Sequence, residues 1–301
     1  MILENILLKK FGDSFRPNVN LSNYSWFNLG GNAEYFYKAK NKKQLIEFLK
    51  EAKLNKIKTT ILGAGSNTLF RDRGVKGVVI KLIKEFSYIK LINKNILDVG
   101  AATLDRKVAD FAKDNDLENF EFLSCIPGSI GGAIIMNSGC YNNDISKILI
   151  SVTAIDKNKL TEVEIKKEDI KFLYRGTNLS EDLIIISAKL QGTIGKKVEI
   201  EKKQNYLIKK KKLSQPSQIK TCGSTFKNIS DDKKAWMLIK ESGCEKFKEG
   251  DAIISEKHCN FFVNNGNAKS SDIENLIKKV KQRVFEKTGI NLELEIKIIG
   301  E

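Results

Sequence analysis

Two glycine-bearing runs mark where this chain could do chemistry. In Ser124-Cys-Ile-Pro-Gly-Ser-Ile-Gly-Gly-Ala-Ile-Ile-Met-Asn-Ser-Gly-Cys-Tyr141, glycines at 128, 131 and 132 interrupt a largely apolar stretch. Upstream, Ile61-Leu-Gly-Ala-Gly-Ser-Asn-Thr-Leu-Phe70 sets small residues at 63 to 66 ahead of Asn67. Glycine lacks Cβ and reaches positive φ, so successive main-chain N–H groups can converge on an anion with no side chain in the way. A cofactor carrying phosphates is the natural guest, and two such loops could grip two phosphates. Glycine clusters also end strands for geometric reasons alone, so a single loop would carry little weight. Neither run fits G-x-G-x-x-G or a phosphate loop ending in Gly-Lys-Ser/Thr, which argues against Rossmann and nucleotide-triphosphatase scaffolds.

The remaining polar residues narrow the choice. His258 is the single histidine, so a Ser-His-Asp triad or a multi-histidine metal centre has at most one member. The five cysteines (125, 140, 222, 244 and 259) are odd in number and include no C-x-x-C pair, against both a disulfide framework and a zinc site. What is left is Arg175 beside Tyr174, Ser224 within Thr221-Cys-Gly-Ser-Thr-Phe-Lys-Asn228, and the glutamates Glu293 and Glu295, which period-2 geometry puts on one strand face. Taken singly, each has a plain structural use: a surface ion pair, a turn hydroxyl, a solvated strand face.

The elements that position these residues alternate. Leu21 to Tyr35, with its Gly30-Gly31 turn, reads as an extended entry segment. Asn41 caps a predicted helix whose stripe is Leu45, Ile46, Phe48, Leu49 and Ala52, and a strand from Thr59 to Leu62 runs into the first glycine loop. Strands follow at 78–82 and 96–99; then Leu104, Val108, Phe111 and Ala112 line a helix capped by Thr103 that leads to the second loop. β-rich runs at 148–155 and 183–190 flank Phe172-Leu-Tyr-Arg-Gly176, and a basic helix over 198–212 leads to a break at Gln215-Pro216. The last helix opens on a capping box, Ser271-Asp-Ile-Glu274, presents Ile273, Leu276, Ile277, Val280 and Val284 on one face, and ends at Gly289. Leu292 to Ile298 alternates as a strand. Without regular βαβ spacing, the pattern predicts an α+β protein rather than a doubly wound sheet.

At 301 residues, 41% hydrophobic and 30% charged, the composition is that of a soluble globular protein with room for two or three domains. Its net charge of +15, from 52 Lys and Arg against 37 acids, favours polyanionic partners. The lysines are dispersed, however. Only Lys209 to Lys212 forms a tight block, without the interleaved aromatics of a single-strand platform, so a solvated basic surface is expected rather than nucleic-acid binding. No uncharged apolar stretch approaches the length of a membrane span, and Met1-Ile-Leu-Glu-Asn places a carboxylate where a secretory leader would need basic residues and then an apolar run. A cytoplasmic location without membrane insertion is expected.

Several motifs in order resemble one family: Ser25-Trp-Phe-Asn-Leu-Gly-Gly31, Leu62-Gly-Ala-Gly-Ser-Asn67, Ile126-Pro-Gly-Ser-Ile-Gly-Gly-Ala133 with Met136-Asn137, Tyr174-Arg175, Gly223-Ser-Thr-Phe-Lys-Asn228, Ser255-Glu-Lys-His-Cys-Asn-Phe261 and Glu295-Ile-Lys-Ile-Ile-Gly-Glu301. Covering nearly the whole chain, they are similar to the UDP-N-acetylenolpyruvoylglucosamine reductases, flavoenzymes of peptidoglycan synthesis. The resemblance implies an FAD-binding region of the p-cresol methylhydroxylase and vanillyl-alcohol oxidase type over residues 1–200, in two α+β subdomains joined by the closing strand 291–301. It also implies a smaller α+β substrate-binding domain over 201–290, of the shorter type that lacks a substrate-covering insertion.

In that family NADPH reduces the flavin, which reduces the enolpyruvyl ether of a UDP-sugar to UDP-N-acetylmuramate. Hydride delivery leaves negative charge spread onto the substrate carboxylate, which a preorganised cation and a donor can stabilise. The resemblance places Arg175 and Glu295 in those roles, the glutamate acting best when protonated, and Ser224 as proton donor. It assigns Gly63, Ala64, Gly65, Ser66, Asn67, Ile126, Pro127, Gly128, Ser129, Gly131, Gly132 and Asn137 to the cofactor, and Tyr174, Lys212 and Asn228 to the substrate. His258 and Asn260 read as structural, with no metal expected. The chain departs from the family pattern at Asn32, Cys125, Asn142-Asn143 and Ile229. Other readings are an FAD-dependent oxidase on the same scaffold or a basic nucleic-acid-binding protein; the joint presence of Arg175, Ser224 and Glu295 weighs against the first, and the lack of a concentrated basic groove against the second.

Overall fold

The computed structural model describes residues 2–230 and 232–301. Two compact units divide the chain: one made of the residues up to Arg16, Phe36–Ala64 and Gly77–Lys211, the other of Pro17–Tyr35, Gly65–Lys76 and Lys212–Glu301. Helices and strands are mixed in both, as the α+β expectation requires.

In the first unit, α1 (Ile2–Phe11) buries Leu7 completely, a helix that the opening residues do not signal by pattern. Its neighbour α2 (Lys42–Leu54) starts where expected, because Asn41 Oδ1 accepts from the Gln44 amide at 2.8 Å. Such a cap is worth about 1 kcal/mol. Leu45, Phe48, Leu49 and Ala52 form the buried face of α2. Phe48 stacks on Tyr37 with centroids 3.9 Å apart, and Phe11 meets both rings edge-on. One sheet orders its strands as Phe15–Asn20, Asn32–Ala39, Val75–Leu82 and Thr59–Leu62, the last two parallel. A second, wholly antiparallel sheet runs Thr161–Lys166, Leu149–Asp156, Leu183–Gln191, Ile96–Gly100 and Ile89–Asn93. Its edge strand Thr161–Lys166 alternates charged residues outward, which blunts pairing with another chain.

Helix α3 (Asp105–Asp114) begins later than expected, and Thr103 does not cap it. The Thr103 hydroxyl donates instead to the Tyr88 carbonyl at 3.0 Å, which ties it to the sheet and leaves Leu104 in the cap position. Short α4 (Ile130–Ile135) follows the second glycine loop. The basic helix is α5 (Lys197–Ser214), anchored through Lys203 to Glu121 at 3.0 Å and Gln204 to Asp110 at 2.8 Å.

The second unit packs α6 (Ala235–Glu241) and α7 (Ser270–Thr288) with a three-stranded antiparallel sheet of Lys248–Glu249, Ala252–Ile254 and Phe262–Asn264. Its core joins Phe27, Leu69, Phe226, Phe262 and the apolar face of α7 that the sequence predicts. Gly289 ends α7 in the left-handed region at φ 70°, as expected. The start of α7 differs. The helix begins at Ser270, which puts Ser271 inside it, so the Ser271–Glu274 box does not form. Asp72 accepts from the amides of Ser270 and Ser271 at 2.8 and 2.9 Å, and Asp272 accepts from Lys269 N. Glu274 instead makes a two-pronged ion pair with Arg71, 2.9 and 3.0 Å. The closing strand is also shorter than expected, Lys297–Ile299, pairing in parallel with Thr68–Phe70. Before it, the segment around Leu294 takes a different partner, through a single bridge to Phe226.

Candidate active site

The first glycine loop needs its glycines. Gly65 has φ 72°, and a Cβ there would lie 1.8 Å from the Tyr24 carbonyl oxygen. No group among the described residues accepts from the amides of Ala64, Gly65, Ser66 and Asn67, nor from those of Gly128 and Ser129 in the second loop. Successive unpaired N–H groups of this kind form an anion-binding concavity. Gly63 approaches the second loop closely, since a Cβ on it would lie 3.0 Å from Ser129 Oγ, and Lys81 Nζ donates to its carbonyl at 2.6 Å. Burial, and then Lys38, hold the Lys81 ammonium below the ordinary lysine range. Open backbone donors beside a cation suit the diphosphate of FAD. Pro127 and Gly132 are exposed, Ile126 and Gly131 half-buried, and the Gly131 amide is already bonded to the Ala101 carbonyl at 2.9 Å.

Beneath the second loop lies a residue that sequence reasoning missed. Asp105 is 0% exposed and neither carboxyl oxygen has a hydrogen-bond partner. Burial pushes it well above the usual carboxylate range. A Cβ on Gly128 would fall 2.5 Å from its Oδ2, so the glycine is what makes room for the carboxyl. At the start of a helix an Asp reads as a solvated first-turn acid, and only the packing of Gly128 over it reveals otherwise.

The far end of the loop positions Arg175. Asn137 is buried at φ 40° and commits its carboxamide to protein: Nδ2 donates to the Leu173 carbonyl and Oδ1 accepts from the Ser146 amide, both at 3.2 Å. Leu173 pairs with Gly176, so Tyr174 and Arg175 are the two loop residues of a hairpin. Arg175 has φ 58°, a conformation that costs a non-glycine residue about 1 kcal/mol or more. Its guanidinium donates to the Gly139 carbonyl at 2.8 Å and lies 4.9 Å from the centroid of the Tyr174 ring, which is about half exposed.

In the second unit, Ser224 is held against one extended partner, and the residues after it against a second. Ser224 bridges Phe261, and Asn260 clamps the next residues: its carbonyl accepts from Thr225 N, its Oδ1 from Phe226 N, and its Nδ2 donates to the Phe226 carbonyl at 2.8 Å. Glu295 N donates to the Thr225 carbonyl at 2.9 Å, and its own carbonyl accepts from Asn67 Nδ2 at 3.0 Å. Asn67, Ser224 and Glu295 are thus brought onto adjoining segments, whereas Glu293 points outward to Lys227 at 3.5 Å. Ser224 is half-buried, while the thiol of Cys222, two residues before it, is 4% exposed and turned inward, with Sγ 3.4 Å from the Thr68 carbonyl. Burial pushes Cys222 up to about 11. Asn228 caps α6 through Oδ1, 3.1 Å from the Ala235 amide; Lys212 is exposed, with its carbonyl accepting from Lys257. His258 packs edge-on against Phe261 at 4.7 Å, its pKa lowered by burial.

A family profile for an FAD binding domain matches residues 33–161, over the segment that holds both glycine loops. The chain is therefore an FAD-binding α+β flavoprotein. A second profile, for the C-terminal domain of UDP-N-acetylenolpyruvoylglucosamine reductase, matches residues 215–299. The reductase of that name from Pelagibacter ubique (strain HTCC1062) is 47% identical over 298 residues, 97% of this chain and 98% of that protein. The one from Orientia tsutsugamushi (strain Ikeda) is 42% identical over 299 residues, 98% of each. The crystal structure of the Thermus caldophilus reductase superposes with a TM-score of 0.82 at 30% identity, covering 95% of this chain and 100% of that one. The chain belongs to the UDP-N-acetylenolpyruvoylglucosamine reductase family. Among the described residues, no helix is long and apolar enough to cross a membrane.

Proposed function

We propose that this chain reduces the enolpyruvyl ether of UDP-N-acetylglucosamine-enolpyruvate to UDP-N-acetylmuramate with NADPH, as a step of peptidoglycan precursor synthesis in the cytoplasm. The observation that carries the reading is identity of 47% sustained over 97% of the chain with a reductase of that name. Bound FAD supplies the two-electron relay between NADPH and the substrate. The amides of the two glycine loops and Lys81 suit its diphosphate, in the FAD-binding region 1–200 with 291–301, and 201–290 serves the substrate.

Around that relay the chain's own residues divide the work. As the enolpyruvyl group gains electrons, charge builds on its carboxylate, and the Arg175 guanidinium stabilises it from a backbone conformation fixed in advance. Ser224 gives a proton to the adjacent carbon. Its hydroxyl suits this because it is half-buried and has no side-chain partner among the described residues, while Cys222 is turned away. Glu295, on the segment beside Ser224, acts as the second donor to the developing charge. Asn137 and Asn260 are positioning residues, holding the Arg175 hairpin and the Ser224 strand through backbone bonds. Lys212, Tyr174 and Asn228 serve the diphosphate and sugar of the substrate, Lys212 as a point charge.

Purified protein should be yellow, release FAD on denaturation, and consume NADPH in proportion to added enolpyruvyl substrate. Colourless protein that takes up no FAD, or flavoprotein that reoxidises with oxygen but not with the enolpyruvyl ether, would overturn the assignment.

A further inference from the structure

The second glycine loop is splinted by the segment 101–105. Asp105 N donates to the Gly128 carbonyl at 3.2 Å, Ile130 N to the Thr103 carbonyl at 3.0 Å and Gly131 N to the Ala101 carbonyl at 2.9 Å, with Leu104 and Ser129 paired as an antiparallel bridge. These bonds hold the turn on either side of Ser129 and leave the Gly128 and Ser129 amides without an acceptor among the described residues. The space against Gly128 itself is filled by the Asp105 side chain. A Cβ at 128 would have Asp105 Oδ2 as its nearest neighbour at 2.5 Å, then Asp105 Cγ at 3.6 Å and Ile126 Cγ2 at 3.8 Å.

Gly128 is therefore a glycine for a different reason from Gly65, whose φ of 72° favours glycine by itself. Gly128 is not among the glycines of positive φ, so its backbone would accept alanine, and only the carboxyl stands in the way. With that carboxyl gone, the Ile126 methyl at 3.8 Å would be an ordinary van der Waals neighbour. Glycine and carboxyl are two halves of one contact, and the contact is costly. The carboxyl is fully buried with neither oxygen bonded, so it loses hydration without replacing it, where a methyl at 128 over a smaller residue at 105 would fill the space with no polar atom. Burial also keeps it protonated well above the usual carboxylate range, so that no negative charge is set against amides suited to a phosphate.

We propose that Asp105 is a positioning residue for FAD: its carboxyl, seated where a side chain at 128 would otherwise be, sets the Gly128 and Ser129 amides to receive the cofactor's diphosphate. The proposal rests on the reading that these amides belong to the FAD site. Being fully buried, Asp105 acts through the loop and not by touching the cofactor. Donors fixed in advance lose less freedom on binding, and that gain is read in affinity. Shortening Asp105 to alanine opens a void beneath Gly128 and lets the amides shift inward. A methyl added at 128 presses on Oδ2 and shifts them outward. Making both changes puts the methyl where the carboxyl was.

Titration of flavin-free protein with FAD, followed by flavin fluorescence, tests this, with urea unfolding of each flavin-free variant measured alongside. Asp105→Ala and Gly128→Ala should each weaken FAD binding by about tenfold or more. The double variant should bind within about threefold of wild type and more tightly than either single variant, a coupling that independent losses of stability do not produce. Asp105→Asn keeps the planar shape and should also stay within about threefold. If Gly128→Ala fails to fold, recovery of folding and FAD binding on adding Asp105→Ala reports the same contact. Wild-type affinity in Asp105→Ala, additive losses in the double variant, or a loss in Asp105→Asn as large as in Asp105→Ala would each overturn the proposal and leave the FAD reading intact. A wild type that takes up no FAD would overturn both.

Discussion

Replacing Asp105 by asparagine should stabilise the flavin-free protein, and by more as the pH rises. The carboxyl is fully buried, has no hydrogen-bond partner and titrates well above the usual range. In the unfolded chain the same group ionises near pH ~3.9. Below that pH both states carry the proton, and whatever stability the neutral group contributes is fully present. Above it the unfolded chain gives up the proton while the folded one keeps it, so stability falls by about 1.4 kcal/mol per pH unit until the folded group ionises as well. Asparagine has the shape of the protonated acid and no proton to lose. Both side chains leave polar atoms unpaired, so that cost largely cancels. The variant and wild type should match near pH ~3 and diverge above the unfolded pKa for as long as the folded carboxyl keeps its proton. Urea unfolding across a pH series measures the gap, with flavin removed because a bound ligand adds its own stabilisation. Parallel pH profiles for the two proteins would refute the reasoning, because they would mean that the carboxyl finds a partner in the folded state.

Three further outcomes are expected. Ser224→Ala should leave flavin reduction by NADPH intact and slow reoxidation by the enolpyruvyl substrate by about two to four orders of magnitude, whereas Cys222→Ala should change neither by much; stopped-flow traces of flavin colour separate the two steps. Arg175→Gly relieves the left-handed conformation at φ 58°, so thermal stability should hold or rise by up to about 1 kcal/mol while the substrate half-reaction is lost. A fall in melting temperature would contradict this reading. Asp72→Asn weakens the cap on α7 and should cost about 1 kcal/mol at neutral pH. Partial burial alone would raise the Asp72 carboxyl, but the bonds from Ser271 and Ser270 outweigh it and hold it low, so its contribution is present above the unfolded pKa and is lost on acidification. The gap between variant and wild type, followed by chemical denaturation, should therefore close in acid.

The parts of the molecule written in short-range pattern were legible beforehand. The apolar faces of α2 and α7, the Asn41 cap and the Gly289 stop each depend on residues within a turn or two of one another. Glycines that must approach backbone closely also announced themselves, although the sequence could not say that Gly65 faces Tyr24 or that Gly128 lies over Asp105. What stayed hidden was set by partners far along the chain. Thr103 was drawn to Tyr88 and lost its capping role; the amides at the start of α7 found Asp72, 198 and 199 residues away. Asn137 and Asn260 are polar residues in motifs that also supply chemistry, and only their bonding shows them holding backbone. The closing run alternates correctly, but its successive residues are claimed by two different neighbours, which no local rule foresees.

The second unit is assembled from three separated stretches, Pro17–Tyr35, Gly65–Lys76 and Lys212–Glu301. This has a consequence for how the protein is made. Asn67 meets Glu295 across 228 residues, and Thr68–Phe70 has its parallel partner at Lys297–Ile299. On the ribosome, at about 5–20 residues per second, the early stretches wait on the order of ten seconds or more before their partners emerge. During that interval Phe27, Leu69 and Phe70, destined for the interior, have no permanent cover. Translation speed and chaperone supply therefore bear on the yield of this unit more than on the first, whose strands find their partners among residues already synthesised by Lys211.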